Sequence, residues 1–259
     1  MTIRLMTSNV WGNYFGNEVA VRDVQLLGVM KKYAPDVIGM QEVTAAWQAS
    51  ELFKGLADEF DLVPAKDGDK QNFVPLFYRR ERLELVECSY KLYHWFLDSS
   101  KGYTWAVFKD KASGKLFGVF NTHFWYKWDV ADEALRCYNA KDMLAELKFI
   151  EEKYHCPAFF MGDMNCGLES QTWKMLHGLD YLDCCECADE FSPNCSWHRD
   201  PKRGADGRFH GRTTAEPNEL SLDHIGVRKG TKVLKQLVIE DQDALDATDH
   251  SPVIADIVI

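Results

Sequence analysis

Polar and apolar residues alternate along this chain at two periods, and the switches between those periods mark out its elements. Residues 3–10 alternate with period two and predict a strand. Residues 17–33 place Val21, Val24, Leu27 and Met30 on one helical stripe, and Pro35 ends that helix. Residues 36–40 form a short apolar run that stops at Gln41-Glu42, which predicts a second, buried strand. Residues 44–56 read as helical. Strand patterns follow at 73–78, 83–92 and 103–109. The turn Lys111-Ala112-Ser113-Gly114-Lys115 then leads to a returning strand at 116–124. Residues 131–154 predict a long amphipathic helix, 158–161 a strand and 169–177 a short helix. Residues 192–220 are polar and rich in Gly, Pro and Arg, which predicts a long surface loop of the kind that tends to carry function. Strands close the chain at 222–227, 233–239 and 253–259.

The predicted strands come in clusters between helices, without strict alternation. That pattern predicts an α/β (α+β) protein with mixed sheets packed on each other and helices outside, not a doubly wound parallel sheet. At 259 residues the chain is expected to form a single domain, 1–259, with a well-buried core. No apolar run approaches the roughly 20 residues that span a bilayer. Residues 1–4 lead straight into a strand pattern with no leader-like run, so the expected location is the cytoplasm, unless a leader has been removed.

Charge narrows the partners. The formal net charge is -10, which argues against a broad basic face for duplex nucleic acid and suits a site that gathers divalent cations. The eight cysteines are expected to be reduced thiols. Among them, Cys184 and Cys187 have C-x2-C spacing, while Cys195 and His198 have C-x2-H spacing. Four such ligands suit a structural zinc.

The most informative stretch is Phe159-Phe160-Met161-Gly162-Asp163-Met164-Asn165. An apolar run meets a glycine and then presents a carboxylate and an amide two positions apart. On a strand these two share a face. Together they can orient a water and hold an anionic oxygen. Comparable polar groups end other strands: Asn9, Gln41-Glu42, His123, Asp223, and Asp249-His250 before the last strand. A buried strand has no structural need of them, and strand ends on one edge are where rigid scaffolds carry function.

These segments resemble the endonuclease/exonuclease/phosphatase superfamily, whose fold is that of pancreatic deoxyribonuclease. The matching pieces are Thr7-Ser8-Asn9-Val10, Asp36-Val37-Ile38-Gly39-Met40-Gln41-Glu42, Asn121-Thr122-His123, Gly162-Asp163-Met164-Asn165, Ser221-Leu222-Asp223-His224-Ile225 and Thr248-Asp249-His250-Ser251-Pro252-Val253. They follow the family's order across nearly the whole chain, and residues 104–123 further resemble a broadly described bacterial branch. The resemblance implies a four-layer α/β/β/α sandwich of two mixed sheets and a Mg2+- or Mn2+-dependent phosphoesterase. By position it implies Glu42 as the principal metal ligand with Asn9 beside it, and Asp249 near the metal. It implies Asp163 as the group that activates or orients the attacking water. Asn165 would bind the phosphate or steady that water, and His123 would contact the phosphate or assist the leaving group. His250 would bond the phosphate as charge builds, its ring held by Asp223. Arg136 sits where the family often has an arginine.

The chemistry accounts for these residue types. Magnesium is hard and takes oxygen ligands, a carboxylate beside water can take its proton, and a histidine held by a carboxylate keeps its useful tautomer. Departures lie around the substrate. Phe124-Trp125-Tyr126-Lys127-Trp128 replaces the branch's usual continuation after His123. Lys101 and Tyr103 stand near where relatives place an arginine, and His224 stands where many carry an aromatic. Trp125, Tyr126 and Trp128 are therefore expected to bind substrate by stacking, with Trp95, Phe96 and Trp105 nearby. Arg199, Lys202, Arg203, Arg208 and Arg212 make the long loop basic, suited to clamping phosphate. The expected activity is hydrolysis of a small or flexible phosphorylated substrate. Alternatives are a nuclease acting on DNA or RNA and a non-catalytic binding module.

Overall fold

The computed structural model describes residues 1–94, 96–193, 195–212 and 221–259. Two large mixed sheets stack face to face, with helices on the outer side of each. The first sheet has seven strands in the order Ala188–Phe191, Val233–Val238, Val253–Val258, Thr2–Asn9, Val37–Gln41, Leu76–Arg79, Phe60–Leu62. The second has six, in the order Leu83–Leu92, Gly102–Asp110, Leu116–His123, Ala158–Asp163, Asp223–Arg228, Tyr181–Asp183. This is the α/β sandwich of two mixed sheets that the pattern predicted.

Period-two alternation divides each strand between two cores. Ile3, Leu5, Phe117, Val119, Phe159, Met161, Ile225 and Val227 point between the sheets. Met6, Ile38, Met40 and Ile254 point outward, onto Leu26, Met30, Trp47, Leu52 and Ala244 of the covering helices. Phe120, Phe160 and Val107 point the other way, onto Met143, Leu147 and Ile150 of the helix Val130–Tyr154 and onto Trp173. That helix starts at a capping box, in which Asp129 accepts from the Asp132 amide and Asp132 from the Asp129 amide.

Each sheet has a parallel pair near its centre. Thr2–Asn9 runs parallel to Val37–Gln41, with Asn9 opposite Gln41. Leu116–His123 runs parallel to Ala158–Asp163, with His123 opposite Asp163. The antiparallel strand Asp223–Arg228 begins with Asp223 opposite Asp163. The polar ends of these strands therefore fall on one rim of the sandwich.

Several elements differ from expectation. The helix over 17–33 is a 3-10 turn, Val19–Val21, followed by an α-helix, Asp23–Tyr33. Its buried face holds Leu26, Val29 and Met30, while Val24 is exposed. The helix over 44–56 is split into Ala45–Gln48 and Glu51–Leu56, the second capped by Ser50. Short strands at Phe60–Leu62, Tyr181–Asp183 and Ala188–Phe191 and the helix Gln242–Ala247 carry too few residues to show a period. The loop over 192–220 contains a small hairpin of Lys202–Arg203 and Phe209–His210. Trp95 lies outside the described residues. None of the described helices is long and apolar enough to cross a membrane.

Candidate active site

Along the inter-sheet face the side chains change character in layers toward the rim. Beyond the apolar core lies a neutral polar layer. Gln41 Nε2 donates to Asn121 Oδ1 at 2.7 Å and to Thr7 Oγ1 at 3.0 Å, and Asn121 Nδ2 donates to the carbonyl of Met40 at 2.8 Å. Gly39 makes this crossing possible, since a Cβ there would lie 2.5 Å from Asn121 Oδ1. One step further along the same faces come Asn9, His123, Asp163 and Asp223, each almost wholly buried. Buried polar groups must find partners, and here they find one another.

Asn9 Nδ2 donates to Asp163 Oδ2 at 3.0 Å and to Glu42 Oε1 at 3.2 Å, so one amide bridges both sheets. Glu42 sits just past its strand with φ of 61°, a conformation that aims its carboxylate back into the cleft. The Gly12 amide donates to Glu42 Oε2 at 2.8 Å. His123 Nε2 lies 3.3 Å from Asp163 Oδ2. His250 Nδ1 lies 2.7 Å from Asp223 Oδ2. Asp163, Asp223 and His250 each offer a ligand atom within 4.8 Å of the others. Asn165 reaches the cleft through a left-handed turn, φ 51°, and not through strand alternation with Asp163. Its amide N–H donates to Asp163 Oδ1 at 2.9 Å and its side chain to the Phe124 carbonyl at 3.2 Å.

Electrostatics separates the ionisable groups. Burial opposes the charge of Asp163, yet His123, His250 and Lys101 pull its pKa well below the usual carboxylate range. Burial likewise opposes Glu42, and His123, Lys101 and the bonds from Gly12 and Asn9 lower it. His250 moves the other way. Burial disfavours its cation, but Asp223 and Asp249 hold the ring protonated well above its ordinary range. Asp249 is pushed up to about 7 by burial and by the nearby charges of Glu42 and Asp200.

The donors suit a hard divalent cation by type: Glu42, Asp163 and Asp249 offer carboxylate oxygens to one cleft with Asn9 behind it, while among the described residues the three ligand atoms that lie close enough to share one ion are those of Asp163, Asp223 and His250. The Oδ1 atoms of Asp249 and Asp223 are buried without a hydrogen-bond partner. Crowded carboxylates that raise one member's pKa are what a cation would relieve.

The cleft that these groups floor has a volume of about 1030 Å³. Of the residues singled out from sequence, Glu42, His123, Asp163, Asn165, Asp249, His250, Tyr126 and Trp128 line it. Asn9 and Asp223 brace it from beneath through the bonds above. Arg136 and Trp125 are elsewhere. Arg136 is buried behind the loop, donates to the Trp125 carbonyl at 3.3 Å and to the Lys127 carbonyl, and pairs with Glu133. Trp125 is buried with its indole N–H on Asp132. Both hold the loop bearing Tyr126 and Trp128 and do not face the cleft. Trp105 packs against the long helix, its indole donating to Glu146 at 3.0 Å.

The zinc expectation is corrected. Cys184 is sunk in the core between the sheets, and Cys187 Sγ faces the carbonyls of Asp183 and Cys184. His198 pairs by its backbone with Asp249 at 3.0 Å, and its ring pKa drops to about 4 through burial and the charge of His250. Among the described residues, no Cys-containing group brings three ligand atoms together.

Four contributors escaped sequence reasoning. Lys101, noted only as a departure, is buried in the cleft wall with Nζ 2.5 Å from His123 Nε2 and 5.1 Å from the Tyr126 ring centre. Ser196 Oγ accepts from the Leu222 and Asp223 amides, both at 3.0 Å. Arg22 is fully buried between the rings of Trp11 and Trp47 and binds carbonyls of two site loops. His224 lies between Asp183 Oδ2 and the Cys166 carbonyl, 2.8 Å from each. Lys101 and His224 showed only as departures from the family's pattern, and Ser196 and Arg22 gave no local signal.

Two facing mixed sheets with outer helices, and one rim collecting acids, amides and histidines, define a hydrolase-type site on a deoxyribonuclease-like sandwich. Residues 6–250 match the model of the Endonuclease/Exonuclease/phosphatase family, so the chain belongs to that family, whose members are hydrolases acting on phosphoesters. No curated protein matches it. Solved structures share the fold. A Bacteroides vulgatus endonuclease/exonuclease/phosphatase is 24% identical with TM-score 0.79, covering 100% of this chain and 99% of that one. A mannosyl-6-phosphatase of Bacteroides thetaiotaomicron is 19% identical with TM-score 0.76, covering 99% and 100%. D. rerio TDP2, complexed with a single-strand DNA product, is 19% identical with TM-score 0.71, covering 100% and 99%.

Proposed function

We propose that this protein is a divalent-metal-dependent phosphoesterase acting, as one domain, on a small or flexible phosphorylated substrate by in-line attack of water. The observation that carries this assignment is the Asn9 amide bridging Glu42 and Asp163 at the floor of a cleft that His123 and His250 also enter. Glu42, with Asn9 behind it and Asp249 beside it, would hold Mg2+ or Mn2+. Such an ion would supply charge neutralisation at the phosphoryl oxygens.

The remaining work falls to this chain's own groups. Asp163, kept ionised by its cationic neighbours, orients the attacking water or takes its proton, with the Asn165 turn fixing the carboxylate. His250, kept protonated by Asp223, donates to a phosphoryl oxygen as negative charge grows there. Lys101, bonded to the His123 ring, and His123 itself form a second wall facing the phosphate. Tyr126 and Trp128 cover the mouth.

The negative overall charge favours a compact substrate over duplex DNA. A nuclease is the second reading, supported by Lys202 and Arg203 on the cleft rim and by the DNA product held by a neighbour of the same fold. The test is a panel of phosphomonoesters and diesters with Mg2+ and Mn2+. Hydrolysis that needs metal, and that Asp163→Asn lowers at least a hundredfold without loss of folding, is expected. Undiminished turnover by that variant would refute the role of Asp163. Plasmid nicking with a steep salt dependence would favour the nuclease.

A further inference from the structure

The loop between the first strand and the first helix has an unusual division of labour. Its base is pinned. The Gly12 amide binds Glu42 at 2.8 Å, Asn17 Nδ2 binds the Gly12 carbonyl at 2.6 Å, and Thr44 Oγ1 donates to Asn13 Oδ1 at 2.6 Å. Arg22 and the Trp47 indole both donate to the Trp11 carbonyl. Its tip does the opposite. Phe15 is 95% exposed and Tyr14 50%, although both border the catalytic cleft. The Phe15 amide is itself held, donating to Asn17 Oδ1 at 3.1 Å, and Gly16 takes the left-handed turn, φ 84°, that carries the chain back. Tyr14 lies over Gly12, where a Cβ would be 2.3 Å from the tyrosine ring.

Scattered exposed apolar residues need no explanation. A ring exposed this fully, on a loop bonded directly to a site carboxylate, is different. The loop backbone is already fixed in the free protein, so burying the ring against a ligand costs only the rotamer freedom of the side chain. The cleft also presents Tyr126 and Trp128, themselves about half exposed. Rim charges are mixed, with Asp98 and Asp200 alongside Lys202 and Arg203. Two carboxylates offset two cations there, so the rim adds no net attraction for further phosphates beyond the one held in the cleft.

Building on the phosphoesterase assignment, we propose that Tyr14 and Phe15 are a specificity element that receives the flat face of an uncharged ring in the alcohol part of the substrate. Aromatic rings and the apolar face of a pyranose both offer such a surface.

The experiment compares three esters with Mg2+: phenyl phosphate, a hexose 6-phosphate, and ringless glycerol 2-phosphate. Selectivity is the kcat/KM ratio of each ring-bearing ester to the ringless one. Intrinsic leaving-group reactivity cancels because the same pair is compared in each protein. Phe15→Ala lies on the surface and leaves the core untouched. It is expected to lower one of the two selectivity ratios by roughly five- to a hundredfold, the range for losing one stacked ring. Tyr14→Ala should act in the same direction. Which ratio falls identifies the ring as aryl or sugar. Unchanged ratios, or equal loss on all three esters, would overturn the proposal. If wild type hydrolyses none of these three monoesters, the phosphoesterase assignment is decided by the wider panel of monoesters and diesters above. The loop is then judged by binding alone, from the affinity of Asp163→Asn protein for phenyl phosphate and the hexose phosphate relative to inorganic phosphate. Adding Phe15→Ala must reduce one of those preferences at least fivefold, and no reduction overturns the proposal.

Discussion

Replacing Arg22 by methionine tests how the rim is held together. Arg22 is 1% exposed and has no carboxylate partner among the described residues, yet it donates to the Val10 and Ala247 carbonyls at 2.7 Å, to the Trp11 carbonyl, and more weakly to the carbonyls of Asn17 at 3.2 Å and Glu18 at 3.3 Å. Trp11 and Trp47 rings lie 4.9 and 4.7 Å from its central carbon. Burial works against it, lowering its pKa from 12.5 to about 10, with Asp249, Glu42 and Asp23 compensating only partly. That shift amounts to about 3 kcal/mol against the charged form. The two short bonds from a cation are worth about 2 kcal/mol each, and the two ring contacts about 2 kcal/mol together. The favourable side wins by about 3 kcal/mol, a large share of a typical stability of about 5–15 kcal/mol.

Arg22→Met should therefore lower the unfolding free energy in urea by about 3 kcal/mol. The lost bonds also free two site segments at once. One carries Gly12, which donates to Glu42, and the other leads from Ala247 to Asp249 and His250. The Mg2+ concentration for half-maximal hydrolysis should rise several-fold under conditions where the variant stays folded. Arg22→Lys keeps the charge but not the fork that reaches both carbonyls, and should recover only part of either effect. Loss of less than about 1 kcal/mol by Arg22→Met, with an unchanged metal requirement, would show that the two segments are held by other contacts.

Two further outcomes follow from the histidines. Asp223→Asn removes the carboxylate that bonds and stabilises the His250 cation, so the alkaline limb of the kcat/KM profile should move to lower pH; a profile that keeps its limb would detach Asp223 from this role. His224 has acceptors on both ring nitrogens, and although burial opposes its cation, the bond to Asp183 raises its pKa. A raised folded pKa gives stability that is complete below about pH 6.5 and is lost as pH rises through the folded value. The destabilisation caused by His224→Gln, read from urea unfolding at pH 6 and pH 9, should accordingly be larger at pH 6. Equal losses at both would mean that the ring is neutral.

What the sequence by itself determined is local and periodic. The strand pattern at 116–124 and the apolar run at 158–161 marked buried strands, and the interruption of each by His123 or Asp163 marked its functional end. Alternation specifies which side chains of one strand share a face, but it stops where the strand stops, so the expected alignment of Asp163 with Asn165 gave way to a left-handed turn. It does not specify which strand lies across the sandwich. Asn9 meets Asp163 at a separation of 154 residues, and Thr248 meets the Asn9 carbonyl at 239. Such contacts leave no mark in a local pattern.

The same limit explains the corrections. Arg136 and Trp125 look like cleft residues by type and position, but packing of the long helix turns both to the back of their loop. Cys184 and His198 are 14 positions apart, yet one belongs to the inter-sheet core and the other to the rim. Conversely, nothing local distinguishes Arg22 from an exposed arginine or Phe15 from a core phenylalanine. Burial is decided by the chain that arrives from elsewhere, and only the assembled tertiary structure supplies that neighbour.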